Sequence, residues 1–252
     1  MRRFLRGILV AAVVVGVWWV LTALHLWSAY VLPPPGRVWS SAVTMTMSGE
    51  LGEHVVVSFG RVLTGFTIAF GLAFVLGVVA LLLPGPDGFL APVLEFLKSV
   101  PPLALIPLLI LWSGIGETSK IIVIVLTAFF PMYLSIKKGL QTCSRQLLEV
   151  GTSLHFSPAK KFFLIRLPNA VPDVLVGMRI SLGFAWRALV GAEMIAASSG
   201  LGYLILDAQR MSRSDKVIVG IVTIGILGVL CERLFSAGVR HTMRWGIDDS
   251  WS

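Results

Sequence analysis

Residues 149–168 read EVGTSLHFSPAKKFFLIRLP, a polar stretch that separates two strongly apolar parts of the chain. Apolar side chains recur at helical spacing around Glu149, at Leu147, Leu148, Val150 and Leu154. Ser157-Pro158 matches a helix N-cap followed by proline at the first helical position, which predicts a second short helix. Leu167-Pro168 is predicted to end that helix, because proline disrupts the helical hydrogen-bond ladder. The stretch therefore predicts a helix-turn-helix between two apolar segments.

The chain around this stretch is too apolar for a water-soluble domain. Of its 252 residues, 56% are apolar and 13% are charged, and the mean hydropathy is +0.87. Soluble domains carry about 25% charged residues, and a globule of this length exposes much of its surface to water. The same composition excludes intrinsic disorder. An all-α, polytopic membrane protein remains.

Six segments are long and apolar enough to cross a hydrocarbon core, which needs about 20 helical residues. They are predicted at residues 8–27, 56–83, 89–112, 120–136, 174–197 and 217–235. No long polar block remains for a separate domain, so residues 1–252 are predicted to form one transmembrane domain, with its core at about 56–236. The cytoplasmic segment lies at about 145–168, between the fourth and fifth spans.

The basic residues predict the orientation of these spans. The chain has 21 Lys and Arg and a net charge of +8. With the N-terminus inside, they favour the inner loops by about two to one, which predicts a multi-pass protein of the cell membrane with both termini cytoplasmic. Arg61 and Lys120 are assigned to outer loops, and Arg179 and Arg187 to the fifth span. This distribution accounts for the positive charge without a nucleic-acid partner.

Motifs for bond chemistry or nucleotide binding are missing from the sequence. There is no GxxxxGK[ST] loop and no GxSxG elbow. The histidines are isolated from one another, and Cys143 and Cys231 lie far apart, so no metal site is predicted. The chain is therefore predicted to be non-catalytic and to bind no cofactor, and any ATP that drives it must bind to another chain.

The polar stretch carries a family resemblance. Glu149-Val150-Gly151, three residues, His155, nine residues and Ile165-Arg-Leu167-Pro168 are similar to the EAA motif of ABC-transporter permeases, EAA-x3-G-x9-I-x-LP. Residues 99–107, 112–117 and 191–203 resemble the permeases of nitrate, sulfonate and taurine importers. The resemblance extends over nearly the whole chain, from the proline-rich first outer loop to the last span.

The resemblance implies a type I ABC importer permease fold and a membrane subunit that forms the translocation pathway. A coupling helix would dock on cytoplasmic ATPase subunits, which hold ATP and Mg²⁺. The coupling residues would be Glu149, Val150, Gly151, Leu154, His155, Phe156, Ile165, Leu167 and Pro168. The other implied partners are a second permease copy in a homodimer, an extracytoplasmic substrate-binding protein and the lipid bilayer. The implied substrate is a small anion or organic solute, of the sulfonate, taurine or nitrate kind or a vitamin-type precursor.

One departure from the motif concerns its glycine, which is His155 here. Histidine is bulkier, which puts the tight turn normally assigned to that glycine in question. Two alternatives stay open. The imidazole could face a partner, with a titration range near physiological pH, or it could end a helix in water.

The third and fifth predicted spans carry residues unusual at membrane depth. The pathway is predicted to involve Lys98, Pro101, Pro102, Trp186, Arg187 and Glu193. Prolines break the helical ladder, and broken backbone is tolerated in a membrane where protein or water covers it, so an elbow and then a short pathway helix from Pro101 are predicted. Arg187 could attract an anionic substrate or pair with Glu193 or Glu95, whereas Glu193 is expected to pack or hold a gate. The alternative function is a self-contained secondary transporter or channel.

Overall fold

A computed structural model describes residues 2–82 and 86–242, and helices make up nearly all of these two ranges. The helices are α1 (Arg2–Ala23), α2 (Pro35–Met47), α3 (Glu50–Leu82), α4 (Pro86–Ser99), α5 (Ile106–Ser113), α6 (Glu117–Gln141), α7 (Arg145–Ser153), α8 (Pro158–Lys161), α9 (Leu167–Ala196), α10 (Leu201–Arg210) and α11 (Ser214–Thr242). A 3-10 turn, Pro102–Leu105, precedes α5, and a π-helical turn, Phe162–Arg166, joins α8 to α9.

Four helical segments are long and apolar enough to cross a membrane: α3, α6, the continuous helix Pro158–Ala196 and α11. They match the second, fourth, fifth and sixth predicted spans. The third predicted span is a bent pair, Pro92–Ser99 and Pro102–Ser113, at 84° to each other. The predicted elbow is therefore confirmed. The first predicted span corresponds to α1, in which Ala12–Ala23 is a shorter apolar stretch.

The centre of the fold is the packing of α6 against α3 and α9, and small residues allow the close approach. A Cβ on Gly65 would lie 2.6 Å from Ile124, and one on Gly177 would lie 2.4 Å from Ser135. Small residues at such crossings let helix backbones pack without intervening side chains, as is typical of membrane helices. Lys138 near the end of α6 pairs with Asp173 at 3.0 Å, and the hydroxyl of Ser181 donates to the carbonyl of Ala128 at 2.8 Å, so α6 and α9 are antiparallel.

The predicted helix end at Leu167-Pro168 is wrong. The chain passes through the π-helical turn directly into α9, and the backbone N–H of Leu167 donates to the carbonyl of Phe162, five residues earlier. The wider turn shifts the hydrogen bonds by one residue, which lets the helix continue past a proline that has no N–H. The second helix of the segment, which begins at Pro158, is thus continuous with a membrane helix.

The assignment of Arg61 and Lys120 to outer loops is also wrong. Both side chains lie inside helices, α3 and α6, and are only 4% and 3% exposed. Their burial is possible because carboxylates accept hydrogen bonds from both, so neither charge is left uncompensated. Both residues lie near the outer ends of the predicted spans 56–83 and 120–136, and the structure places them inside α3 and α6, which begin at Glu50 and Glu117.

Candidate functional site

The helix-turn-helix at residues 145–168 is built around a contact between two motif positions. Gly151 on α7 is buried, and a Cβ on it would lie 2.6 Å from Cδ1 of Ile165. The absence of a side chain at Gly151 therefore lets α7 rest directly on the π-helical turn. Leu167 and Pro168 then begin α9, so the motif residues connect α7 to the membrane helix.

The turn after α7 keeps the tight geometry that a glycine usually provides. His155 has a φ of +53°. Its N–H donates to the carbonyl of Thr152, and the N–H of Phe156 donates to the carbonyl of Gly151, each at 2.9 Å. This hydrogen-bond pair is the Schellman ending of a helix, with His155 in the left-handed position. Histidine in that conformation costs about 1–2 kcal/mol relative to glycine, and its side chain is exposed.

The predicted N-cap of the second helix is confirmed. The hydroxyl of Ser157 accepts a hydrogen bond from the backbone N–H of Lys160 at 3.3 Å, and proline follows it. The ammonium of Lys161 donates to the hydroxyl of Thr152 at 2.8 Å, and that of Lys160 lies 4.3 Å from the centre of the Phe156 ring. These contacts hold α8 against α7 and give the segment a defined shape.

One face of α7 is apolar and exposed. Leu147, Val150 and Leu154 are 47%, 55% and 59% exposed, and their spacing of three and four residues places them on one side of the helix. Glu149 is exposed beside them. A short helix that presents aligned apolar side chains and a carboxylate has the form of a helix that inserts into a groove on another protein.

At the opposite end of the bundle, a charge network joins α3, α6 and α9 around the buried side chains of Arg61, Lys120 and Glu193, with the exposed Glu117 at its edge. Arg61 donates to Glu117 through Nε and Nη2 at 2.6 and 2.7 Å, and to Glu193 through Nη1 at 2.7 Å. Lys120 donates to Glu117 at 2.8 Å. Glu193 is fully buried. A guanidinium shared between two carboxylates uses its planar fork of donors, which favours arginine over lysine at this position.

The same network holds the short connection between α9 and α10. Gly200 has a φ of +112°, and a Cβ on it would lie 2.3 Å from a carboxylate oxygen of Glu193. The N–H of Gly200 donates to Nδ1 of His54 at 3.0 Å, and the N–H of Leu201 donates to the hydroxyl of Ser58 at 2.8 Å. The hydroxyl of Ser58 in turn donates to Glu193. Side chains of α3 and α9 thus fix the start of α10.

Two of the predicted pathway residues lie inside the protomer. Trp186 is buried, and its Nε1–H donates to the carbonyl of Ile224 on α11 at 3.1 Å. Glu193 belongs to the buried network. Lys98 is exposed in the last turn of α4, and Pro101 and Pro102 lie at the bend before α5. The structure therefore does not bring the six predicted residues together.

Arg187 is exposed on the surface of α9, and its guanidinium lies 5.5 Å from the centre of the Phe184 ring. Of the alternatives left open for Arg187, a pair with Glu193 is not found, because Arg61 and Ser58 donate hydrogen bonds to that carboxylate. The predicted pair with Glu95 is not found either, since no hydrogen bond or ion pair joins Arg187 to any side chain that the structure describes. Arg179, two turns away, pairs with Glu232 at 3.0 Å.

Sequence reasoning missed Ser58, Arg61, Glu117 and Lys120 as members of one network. A charged residue in a long apolar stretch was the available signal, because such a residue normally has a partner in the protein interior. Arg61 carried that signal. Its partners could not be assigned, since Glu117 and Glu193 are 56 and 132 residues away along the chain.

A further charge cluster lies where α2 meets the start of α11. Asp215 is buried, accepts from Arg213 at 2.8 and 3.0 Å, and also accepts from the hydroxyl of Ser41. The hydrogen bonds to Asp215 hold the pKa of the Arg213 guanidinium above its ordinary value. The guanidinium of Arg37 lies 4.0 Å from the same carboxylate.

Comparisons with known proteins agree with this architecture. Residues 73–240 match the model of the binding-protein-dependent transport system inner membrane component family. The chain is 37% identical over 242 residues to an aliphatic sulfonates transport permease protein of Bacillus subtilis, covering 96% of this chain and 88% of that one. It is 36% identical over 239 residues to the taurine transport system permease protein of Escherichia coli, covering 93% and 87%.

A bicarbonate transport system permease protein of Synechocystis is 30% identical over 214 residues, covering 80% of this chain and 76% of that one. An inward-facing structure of the MetNI methionine ABC transporter superposes with a TM-score of 0.59 at 19% identity, covering 73% of this chain and 94% of that one. That likeness shows the type I ABC importer permease fold. The chain therefore belongs to the binding-protein-dependent transport system inner membrane component family, as a multi-pass permease of the nitrate, sulfonate and taurine type.

Proposed function

We propose that this chain forms the translocation pathway of an ATP-driven importer and that residues 145–168 dock on a cytoplasmic ATPase subunit. The observation that carries the proposal is the exposed apolar face of α7, at Leu147, Val150 and Leu154, on a segment whose shape is set by Gly151 and Ile165. ATP and Mg²⁺ belong to that partner. This chain performs no bond chemistry.

The shape of the segment explains how movement at the ATPase reaches the membrane. The helix Pro158–Ala196 has 39 residues, a length of about 58 Å at 1.5 Å per residue. One end carries the contact with α7, and the other carries Glu193 and its network. Because the helix is continuous through the π-helical turn, a displacement of α7 moves the Glu193 end as well.

The same proposal orients the protein and assigns its other partners. The 145–168 end faces the cytoplasm together with both termini, in agreement with the bias of the basic residues. A second copy of the chain completes the pathway, since one bundle of this size supplies half of it in the resembled importers. An extracytoplasmic binding protein delivers substrate at the Glu193 end.

The proposed substrate is a small anion. Sulfonates, taurine and bicarbonate are the solutes in the names of the relatives, and each carries a negatively charged oxygen-bearing group. Selection by a separate binding protein would leave the permease with a weaker and broader preference for that group.

Docking is tested with Val150→Asp in the complex of permease, ATPase and binding protein. The added charge on the apolar face should prevent co-purification of the ATPase and abolish substrate-stimulated ATP hydrolysis. Gln141→Asp is the matched control, because Gln141 is exposed at the end of α6, before α7 begins. Unchanged ATP hydrolysis by Val150→Asp would count against docking, and ATP-independent transport by the pure chain would establish the secondary transporter instead.

A further inference from the structure

Two ion pairs mark two heights along the axis of α9, and each height is called a level. Asp173 pairs with Lys138 near one end of α6, and Glu193 shares Arg61 with Glu117 at the other end. The two carboxylates are 20 residues apart on one helix, which corresponds to about 30 Å, the thickness of a hydrocarbon core. The part of α9 between them is the part that lies at membrane depth.

The guanidinium of Arg187 lies near the middle of that interval. A Cβ on Gly183 would be 3.8 Å from Nη2 of Arg187, so the side chain runs back along the helix towards Gly183. Gly183 is ten residues from Asp173 and ten from Glu193, about 15 Å from each level. The arginine thus points into the membrane rather than towards the nearer surface, where it could reach water.

This charge has no counter-charge within the described part of the protomer. The carboxylates on either side, Asp173 and Glu193, are held by Lys138 and Arg61. Arg187 is exposed, with the Phe184 ring as its described contact. A guanidinium at this depth is costly against lipid, so such residues face a bundle interior or a water-filled cavity. This face of α9 is therefore covered by water or by protein.

The broken helix lies beside the same face. A Cβ on Gly191, one turn from Arg187, would be 2.9 Å from Cδ2 of Leu103 in the 3-10 turn that follows the bend. Non-helical backbone at membrane depth is tolerated where it lines a cavity or is buried in protein. The bend at Pro101 and the charge of Arg187 thus independently indicate an aqueous or protein-lined space at one place.

We propose that Arg187 is the anion-binding group of the translocation pathway and that it takes the oxyanion group of the substrate, a sulfonate or carboxylate. Arginine suits this role because its fork of N–H donors matches two oxygens of such a group at once. The substrate supplies the missing counter-charge as it passes. This inference rests on the proposed importer function and adds the residue that recognises the charge.

The test is uptake of radiolabelled taurine, ethanesulfonate and bicarbonate into proteoliposomes that contain the complete complex. Loss of a hydrogen-bonded charge should lower kcat/KM about tenfold to a hundredfold in Arg187→Gln. Arg187→Lys keeps the charge without the fork, so its uptake should lie between those of Arg187→Gln and the wild type. Arg179→Gln is the matched control, an arginine on the same helix that is paired with Glu232, and should stay within about threefold of the wild type.

The outcomes separate this inference from the proposed function. ATP-dependent uptake with the same KM in wild type and Arg187→Gln would overturn the role of Arg187 and leave the importer intact. Uptake by wild type of none of the three anions would also overturn it. Uptake that does not depend on ATP would overturn the importer itself. Equal losses in Arg187→Gln, Arg187→Lys and Arg179→Gln would indicate damage to the helix rather than loss of an anion site.

Discussion

The two ends of the long helix Pro158–Ala196 differ in whether the neighbouring side chains have partners within the protomer. At the Glu193 end, charges of one chain pair with one another, and the buried Arg61 donates hydrogen bonds both to the buried Glu193 and to the exposed Glu117. At the other end, α7 leaves Leu147, Val150 and Leu154 exposed. Buried charges are stable only when paired within the fold, whereas an exposed apolar face gains free energy when another protein covers it. The first end should therefore govern the stability of the protomer, and the second its assembly.

The largest expected effect comes from breaking the buried network with Glu193→Ala. This change leaves the buried guanidinium of Arg61 with Glu117 as its one carboxylate partner, beside the carbonyl and hydroxyl of Ser199, which should lower the free energy of unfolding by about 3–5 kcal/mol. Lys138→Ala is the control, since Lys138 is exposed near the end of α6 and pairs with Asp173, and should cost at most about 1 kcal/mol. Thermal unfolding in detergent measures both. Similar losses in the two variants would show that the network is not a special source of stability.

The next effect comes from Gly200→Ala in the connection that this network holds. The methyl group would meet the Glu193 carboxylate at 2.3 Å in a backbone with φ of +112°, so we expect a loss of about 2–3 kcal/mol. Gly114→Ala is a matched control, because Gly114 also has a positive φ but a Cβ on it would meet nothing within 4 Å. The difference between their unfolding midpoints isolates the contact with Glu193. No difference would mean that the connection shifts without disturbing the network.

At the opposite end, His155→Gly should have a smaller effect of the opposite sign. Glycine adopts the left-handed φ of +53° found at His155 without the steric cost of a Cβ, so the turn should gain about 1 kcal/mol. Slower limited proteolysis between α7 and α8 would report the gain. His155→Val should speed cleavage, since β-branched residues resist this conformation. If both variants are cut more rapidly than wild type, the imidazole itself stabilises the turn.

The smallest effect on stability is expected for Val150→Asp. Val150 is 55% exposed, and surface substitutions without special contacts change the free energy of unfolding by no more than about 0.5 kcal/mol. The permease purified alone should therefore unfold at the same temperature as wild type, even though the complex loses its ATPase. A large loss in the isolated permease would mean that this face is part of the protomer core, which would remove the contrast between the two ends.

Several features of the fold could be predicted from the sequence alone. Long apolar runs predicted four spans that the structure contains, because any backbone that crosses hydrocarbon must satisfy its own hydrogen bonds. Ser157-Pro158 predicted a helix start, since capping depends on neighbouring residues alone. The prediction that Leu167-Pro168 ends a helix is wrong, because a π-helical turn can continue a helix past a proline. No pattern in the neighbouring residues indicates such a turn.

Part of the candidate site could also be predicted, because some of its features depend only on residues that are neighbours along the chain. The motif from Glu149 to Pro168 predicted a helix-turn-helix, which is the segment proposed to dock, but its spacing did not reveal that Gly151 lies against Ile165 or that His155 retains the turn. Glu193 was recognised as a residue to pack or hold a gate, and Arg187 as an intramembrane charge. Glu193 has an ion-pair partner because α3 brings Arg61 to it, and Arg61 is far away from Glu193 in the sequence.

The sequence by itself thus determined that this protein belongs in a lipid bilayer, its class of fold, its family and the position of the segment that we propose to dock. The membrane environment and the fold class follow from composition and from apolar runs along the chain, whereas the family and the proposed docking segment follow from a motif resemblance. Only the tertiary structure decided which charges in the apolar helices pair with each other and that Arg187 is exposed. Arg61, Glu117 and Glu193 lie on three helices and meet only when these pack, because charge pairing depends on distance in space, which the order of residues does not specify.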